Sequence, residues 1–194
     1  LLQLIVDYLP KVIEEKGKDK PVNASDLYQL CIKSEMERKS NDLTFNISNR
    51  CRLDILEQLA VWMFINDVLV FDIMLLEEEL NFKKYFPGKS PYEIEKYLNE
   101  FLTFSFLIRE GHNRFRMSHK SFRDYLTAVA FVREINSGKI EHFGKNQTTY
   151  EINHFIVEQE PQKKKLLQLV KTARDLSPER QYQGGNGCNA LLRM

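Results

Sequence analysis

The sequence predicts a mainly α fold carrying one small β-hairpin, and three observations predict it. Apolar residues recur at three- and four-residue steps over most of the 194 residues. The period drops to two between Phe106 and Ser118, across Gly111, His112 and Asn113. Ser121 with Asp124 three residues on then has the form of a capping box, and another helical pattern follows.

Leu1, Leu4, Ile5, Tyr8, Leu9, Val12 and Ile13 share a helical face, which the charged run from Glu14 to Lys20 ends. After a turn at Lys20 and Pro21, Ser25 is placed to cap a second helix bearing Leu27, Tyr28, Cys31, Ile32 and Met36. A polar stretch, Lys39 to Asn49, leads to the strongest pattern, about Arg50 to Phe64. Leu53, Leu56, Leu59, Ala60 and Met63 form its stripe, widened by Ile55 and Trp62. Val68 to Ile73 is β-branched and aromatic, so strand competes there with the helical step that Leu75 and Leu76 resume.

Pro87, Gly88 and Pro91 make a loop, and Ser90 caps a helix that Pro91 opens through Tyr97, Leu98, Phe101 and Leu102 to about Ser105. In the hairpin Phe106, Ile108, Phe115 and Met117 alternate with Arg109, Arg114 and Arg116. Phe122, Tyr125, Leu126, Val129 and Arg133 share the next helical face. Beyond Ser137 and Gly138 the pattern is irregular to Thr149. Tyr150 to Glu158 and Gln162 to Leu176 then read as helices, punctuated by Pro161 and Pro178. Helices, a hairpin and a further helix in this order suggest a winged helix flanked by helical segments.

Composition limits the partners. Twenty-eight Lys and Arg against 27 Asp and Glu give a net charge of +1, which steers the chain toward neither nucleic acid nor an anionic membrane. The helix before the hairpin carries Glu93, Glu95 and Glu100 against Lys96, a poor surface for a DNA groove. Cys31, Cys51 and Cys188 are too scattered for a disulfide framework and suit a reducing, cytoplasmic setting. The apolar runs Val61–Ile65 and Val68–Leu76 are too short to span a bilayer. A chain that starts Leu-Leu and ends Ala-Leu-Leu-Arg-Met inside amphipathic patterns is expected to be a segment of something longer.

The sequence holds no self-contained active site. It lacks a G-x-x-x-x-G-K-[ST] phosphate loop, and Gly184, Gly185 and Gly187 read as a flexible turn. His112, His119, His142 and His154 never pair at metal-ligand spacing, so no metal is expected. Glu77, Glu78 and Glu79 read as a solvated face. Lys163, Lys164, Lys165, Lys171 and Arg174, among Leu166, Leu167, Leu169 and Val170, read as the polar side of an amphipathic helix.

One string is more specific. Phe115 to Ala128, Phe-Arg-Met-Ser-His-Lys-Ser-Phe-Arg-Asp-Tyr-Leu-Thr-Ala, resembles the Phe-x-His-x-Ser-Phe-x-Glu-Tyr-x-x-Ala signature that closes the winged-helix domain of NACHT-type STAND signalling ATPases. That group includes animal NOD-like receptors and many bacterial defence proteins. Leu4 to Val12 looks like the helix after the family's sensor proline, Leu27 and Tyr28 like its Leu-Tyr element, and Leu53 to Met63 like its core winged-helix helix. The Gly-Gly-Asn-Gly-Cys-Asn-Ala tail is similar to the segment before C-terminal repeats. Met117 stands where the signature has an aromatic, and Asp124 replaces the commoner Glu.

The resemblance implies three parts: residues 1–22 ending a first helical domain, 23–135 a winged helix, and 136–194 starting a second helical domain. It implies a regulatory portion of an ATP-hydrolysing switch that couples ADP or ATP state to autoinhibition and oligomerisation, with no catalytic residue of its own. ADP or ATP with Mg²⁺ would belong to the full-length parent and would not bind this portion alone. The partners implied are an upstream NTPase core in cis, a downstream repeat sensor and further copies on activation, without nucleic acid or membrane. His119 matches the histidine that touches an ADP phosphate, Met117, Ser121, Phe122, Asp124 and Tyr125 make up the motif that supports it, and Phe122, Tyr125 and Leu126 read as packing that fixes its turn. The alternatives are a nucleotide-independent interaction scaffold and a winged-helix DNA-binding regulator.

Overall fold

Period and capping translate into nine helices and three short strands among the described residues of a computed structural model, which are residues 2–17, 20–42, 46–103, 106–173 and 181–194. In order these are α1 (Leu2–Lys16), α2 (Ala24–Asp42), α3 (Asn49–Ile65), β1 (Val70–Asp72), α4 (Ile73–Glu78), a 3₁₀ turn (Phe82–Tyr85), α5 (Pro91–Leu102), β2 (Leu107–Arg109), β3 (Arg114–Met117), α6 (Lys120–Ser137), α7 (Tyr150–Glu158), α8 (Lys163–Lys171) and α9 (Gln183–Leu191). The molecule is thus mainly helical with a small antiparallel sheet. Leu1, Ser105, Arg174, Leu176 and Pro178, with parts of the Glu14–Lys20 and Lys39–Asn49 runs, lie outside the described residues.

The core is built on α3 and α6. Arg133, late in α6, meets Asp54 and Glu57 early in α3, whereas Arg123, early in α6, reaches the Val68 carbonyl just beyond the end of α3. The two helices are therefore antiparallel. Their contact buries Ile55, Leu56, Leu59 and Met63 against Leu126 and Phe131, all almost fully inaccessible. At about 1.5–3 kcal/mol per large side chain, such burial is the chief stabilising term. One hydrophobic cluster continues from Tyr28 through these helices to Phe155, Leu166 and Ala190.

The expected hairpin is present, and the ambiguous stretch before it resolves. β1 pairs β3 in the register Val70↔Arg116, Phe71↔Phe115 and Asp72↔Arg114, so the strand order is β1-β3-β2. Phe71 stacks on Phe115 with centroids 6.0 Å apart. Asp72 then ends the strand by capping α4, its side chain accepting from Met74 N–H at 3.0 Å. On the far side β2 pairs β3, with Leu107 opposite Met117.

Several expectations need correction. Asn23, in place of Ser25, caps α2: its side chain accepts from Asp26 N–H at 3.0 Å while Asp26 accepts from Asn23 N–H at 2.9 Å. Ser25 bonds Glu158 instead. Ser121 and Asp124 form no capping box, because α6 starts earlier and His119 is its cap. The face expected of α6 is also too narrow: every residue from Phe122 to Ala128 is buried, and Arg133 is exposed. On α5, Glu93 and Glu100 each take up partners, while Glu95 is exposed. Glu93 completes a capping box with Ser90, and Glu100 takes Arg52 and the loop at Asn46 and Ile47.

The glycine cluster is no turn. Gly184, Gly185 and Gly187 lie inside α9, which packs on α8 and the Thr172–Ala173 end of the preceding segment. A methyl at Gly184 would come 2.7 Å from the Ala173 Cβ, and one at Gly187 would come 2.8 Å from a Val170 methyl. Absent side chains therefore let these backbones approach. Asn186 between them donates to the Phe143 and Asn146 carbonyls and accepts from Thr148 N–H, fastening the loop between α6 and α7. Glu77, Glu78, Glu79, Lys163, Lys164 and Lys171 face solvent as expected. No helix among the described residues is long and apolar enough to cross a membrane.

Candidate functional site

The turn between β3 and α6 carries the sequence-predicted residues. Ser118 N–H donates to the Phe106 carbonyl at 2.7 Å and so ties the turn to the start of the hairpin. His119 follows in extended conformation, φ −148° and ψ 145°, as a helix cap requires. Its ring Nδ1 accepts from Ser121 N–H at 3.1 Å, satisfying one of the orphan donors of the first turn.

That bond has a chemical consequence. A backbone N–H can only donate, so Nδ1 must hold a lone pair, and the neutral ring carries its hydrogen on Nε2. Nε2 has no partner among the described residues, and His119 is exposed. The site thus presents the Nε2–H donor at the N-terminal end of an 18-residue helix, where the helix dipole favours an anion.

The supporting residues are packed, as expected. Met117 is buried in β3. Phe122 stands 4.8 Å from Phe106 and edge-on to Tyr28 at 5.2 Å, while Tyr125 stacks on Tyr28 at 5.4 Å. Burial pushes the Tyr125 hydroxyl well above the ordinary phenol value, which keeps it neutral. Asp124 also reaches the start of α6, where its second oxygen lies 3.7 Å from the Lys120 ammonium. It is buried and accepts from the Arg123 guanidinium at 3.0 and 3.1 Å, and Arg123 in turn grips the Val68 carbonyl.

The other histidines are spoken for differently. His112 sits exposed in the hairpin loop, its carbonyl taken by Arg109. His142 pairs with Glu134 at 2.8 Å, and His154 with Glu158 at 3.1 Å. Burial opposes the Glu134 charge, but the His142 ring and the His142 and Phe143 N–H groups outweigh it and hold the carboxyl below its usual range. Among the described residues no group of His, Cys, Asp and Glu could hold a metal ion.

Sequence reasoning missed a second feature. A cleft of about 1250 Å³ lies between α2, α3, α6 and the end of α7, with Ile32, Met36, Leu53 and Val129 among its apolar residues. Glu57 is sealed beneath Arg133, which approaches it at 2.8 Å; burial, only partly offset by Arg133, lifts its carboxyl to about 7. These residues come from three separate helices, so no local spacing announces them.

Comparison of the chain with family models, curated proteins and solved structures finds no match.

Proposed function

We propose that this chain is the regulatory winged-helix and helical portion of a NACHT-type STAND signalling ATPase. In this reading it couples ADP or ATP state to autoinhibition and oligomerisation. The observation that carries the reading is the His119 turn, where the residue matching the family's phosphate-touching histidine presents Nε2–H outward at a helix N-terminus. The sheet supports the winged-helix part. One strand after a helix, further short helices, and then a hairpin whose last strand lies centrally is the order a winged helix uses.

In the parent, ADP and Mg²⁺ would sit in the NTPase core, and His119 would donate to a phosphate from outside. This chain contributes one hydrogen bond and the rigid turn behind it. A bond to a charged phosphate contributes roughly 1.5–3 kcal/mol, about ten- to a hundredfold in ADP affinity. Release of that contact would let the winged helix move and expose surfaces for self-association.

The test is ADP dissociation and spontaneous oligomerisation in the protein joined to its P-loop core. His119→Ala should lose ADP about ten- to a hundredfold more readily and self-associate without a trigger. His119→Gln, which keeps a donor, should retain part of the hold, and His112→Ala all of it. Equal ADP retention in every variant would return the chain to a nucleotide-independent scaffold. The chain alone should neither hydrolyse ATP nor bind it at micromolar concentration, as calorimetry would show.

A further inference from the structure

We propose that Tyr28 is a positioning residue for His119, acting through Ser121. The Tyr28 hydroxyl lies 2.6 Å from Ser121 Oγ, and Ser121 Oγ lies 2.6 Å from His119 Nδ1. Each hydroxyl has one proton, so the directions along this chain are linked. Nδ1 already accepts from Ser121 N–H, and a hydrogen placed on it would point at that donor. The Ser121 hydroxyl therefore donates to Nδ1 as well. Its oxygen is left to accept, which makes Tyr28 the donor. The phenol fixes the serine rotor, the serine and its amide fix the imidazole, and the ring hydrogen is held on Nε2.

The relay spans two elements that meet at few other places. Tyr28 belongs to α2 and is 4% exposed, wedged edge-on to Phe122 and Phe155 at 5.2 Å each and stacked on Tyr125. One turn earlier Glu158 accepts from the Ala24 and Ser25 N–H groups and the Ser25 hydroxyl, pinning the start of α2 to α7. Farther along, α2 borders the large cleft. A shift of α2 that withdraws the Tyr28 hydroxyl would free the Ser121 rotor and leave the His119 ring held by the Ser121 amide alone. His119 is thus coupled to the position of α2, a residue pair 91 apart in sequence joined by one serine. The inference rests on the proposed function only for what Nε2–H would face; the relay itself is open to test without nucleotide.

The test reads the His119 ring nitrogens by ¹⁵N nuclear magnetic resonance at about pH 8.5, roughly two units above the ordinary histidine value. Wild type should show a bare Nδ1 and a protonated Nε2. Tyr28→Phe and Ser121→Ala should each lower that tautomer ratio about threefold to tenfold, the loss expected for one neutral hydrogen bond. Ser121→Thr, which keeps the hydroxyl, should preserve it. Ser121→Ala leaves the Tyr28 ring in place and decides the matter if Tyr28→Phe folds poorly. An unchanged ratio in Ser121→Ala would overturn the relay, whatever His119→Ala does to ADP. A shifted ratio with ADP retention unaffected by His119→Ala would leave the relay standing and remove the phosphate reading.

Discussion

Glu57 shows how a single side chain can set a pH dependence. Its carboxyl rises from 4.5 to about 7 on folding because burial outweighs the Arg133 contact. The folded state then holds the proton more tightly than the unfolded one, so this contribution is fully present below about pH 4.5 and is lost as pH rises through about 7. The shift corresponds to about 3 kcal/mol. Glu57→Gln should therefore match wild type in urea stability near the acid end of that window and exceed it at its top; parallel pH curves for the two proteins would contradict the account. The sequence shows Glu57 only as a polar break in a leucine stripe. Its partner Arg133 lies 76 residues away, and no local spacing reports that. The position of His119, between β3 and α6, is by contrast a local matter that the change of period and the helical pattern after it report. The spacing points to Ser121 as the cap instead, since a histidine ring accepting through Nδ1 leaves no common signature.

At the level of the element, some local signals are direct and others are not: Asn23 and His119, rather than Ser25 and Ser121, cap α2 and α6, although their bonds span only two or three residues. Ser90 and Pro91 open α5 as expected, with Glu93 closing the box, and the period-two stretch is the hairpin. The glycine segment failed for another reason. Three glycines weaken an isolated helix by about 1 kcal/mol each, so intrinsic preference argues for a turn. Close packing overrides it. The three glycines should accordingly respond differently to one added methyl. Gly185 meets nothing within 4 Å, and Gly185→Ala should stabilise by about 0.5–1 kcal/mol. Gly184→Ala and Gly187→Ala drive a methyl into Ala173 and the stiff Val170, and should cost about 1–3 kcal/mol. Thermal unfolding of the three variants checks the order, and uniform stabilisation would mean that α9 does not pack on α8 this closely.

Over the whole molecule, the helical class and the position of the sheet could be read from periodicity, whereas the cleft and the glutamate clamps could not. Each clamp joins stretches far apart in the chain: Glu100 holds the loop at Asn46 and Ile47, and Glu158 holds the start of α2. Periodicity says which face a helix buries, but not which distant carboxylate meets its exposed amides. The Glu158 clamp also bears on time. Ser25 and Glu158 are separated by 133 positions, so the first turn of α2 cannot acquire its carboxylate until the chain through Glu158 has been synthesised and α7 has formed. The hairpin and the Ser90 cap need no such wait. If the clamp closes after the rate-limiting step, Glu158→Gln should leave the refolding rate almost unchanged and speed unfolding by about tenfold, as stopped-flow chevrons would reveal. A slowed refolding limb would place the clamp in the folding nucleus instead. What looks in the finished structure like a simple tie between two helices is then a fastening made last, whose chief effect is on how long the folded state survives.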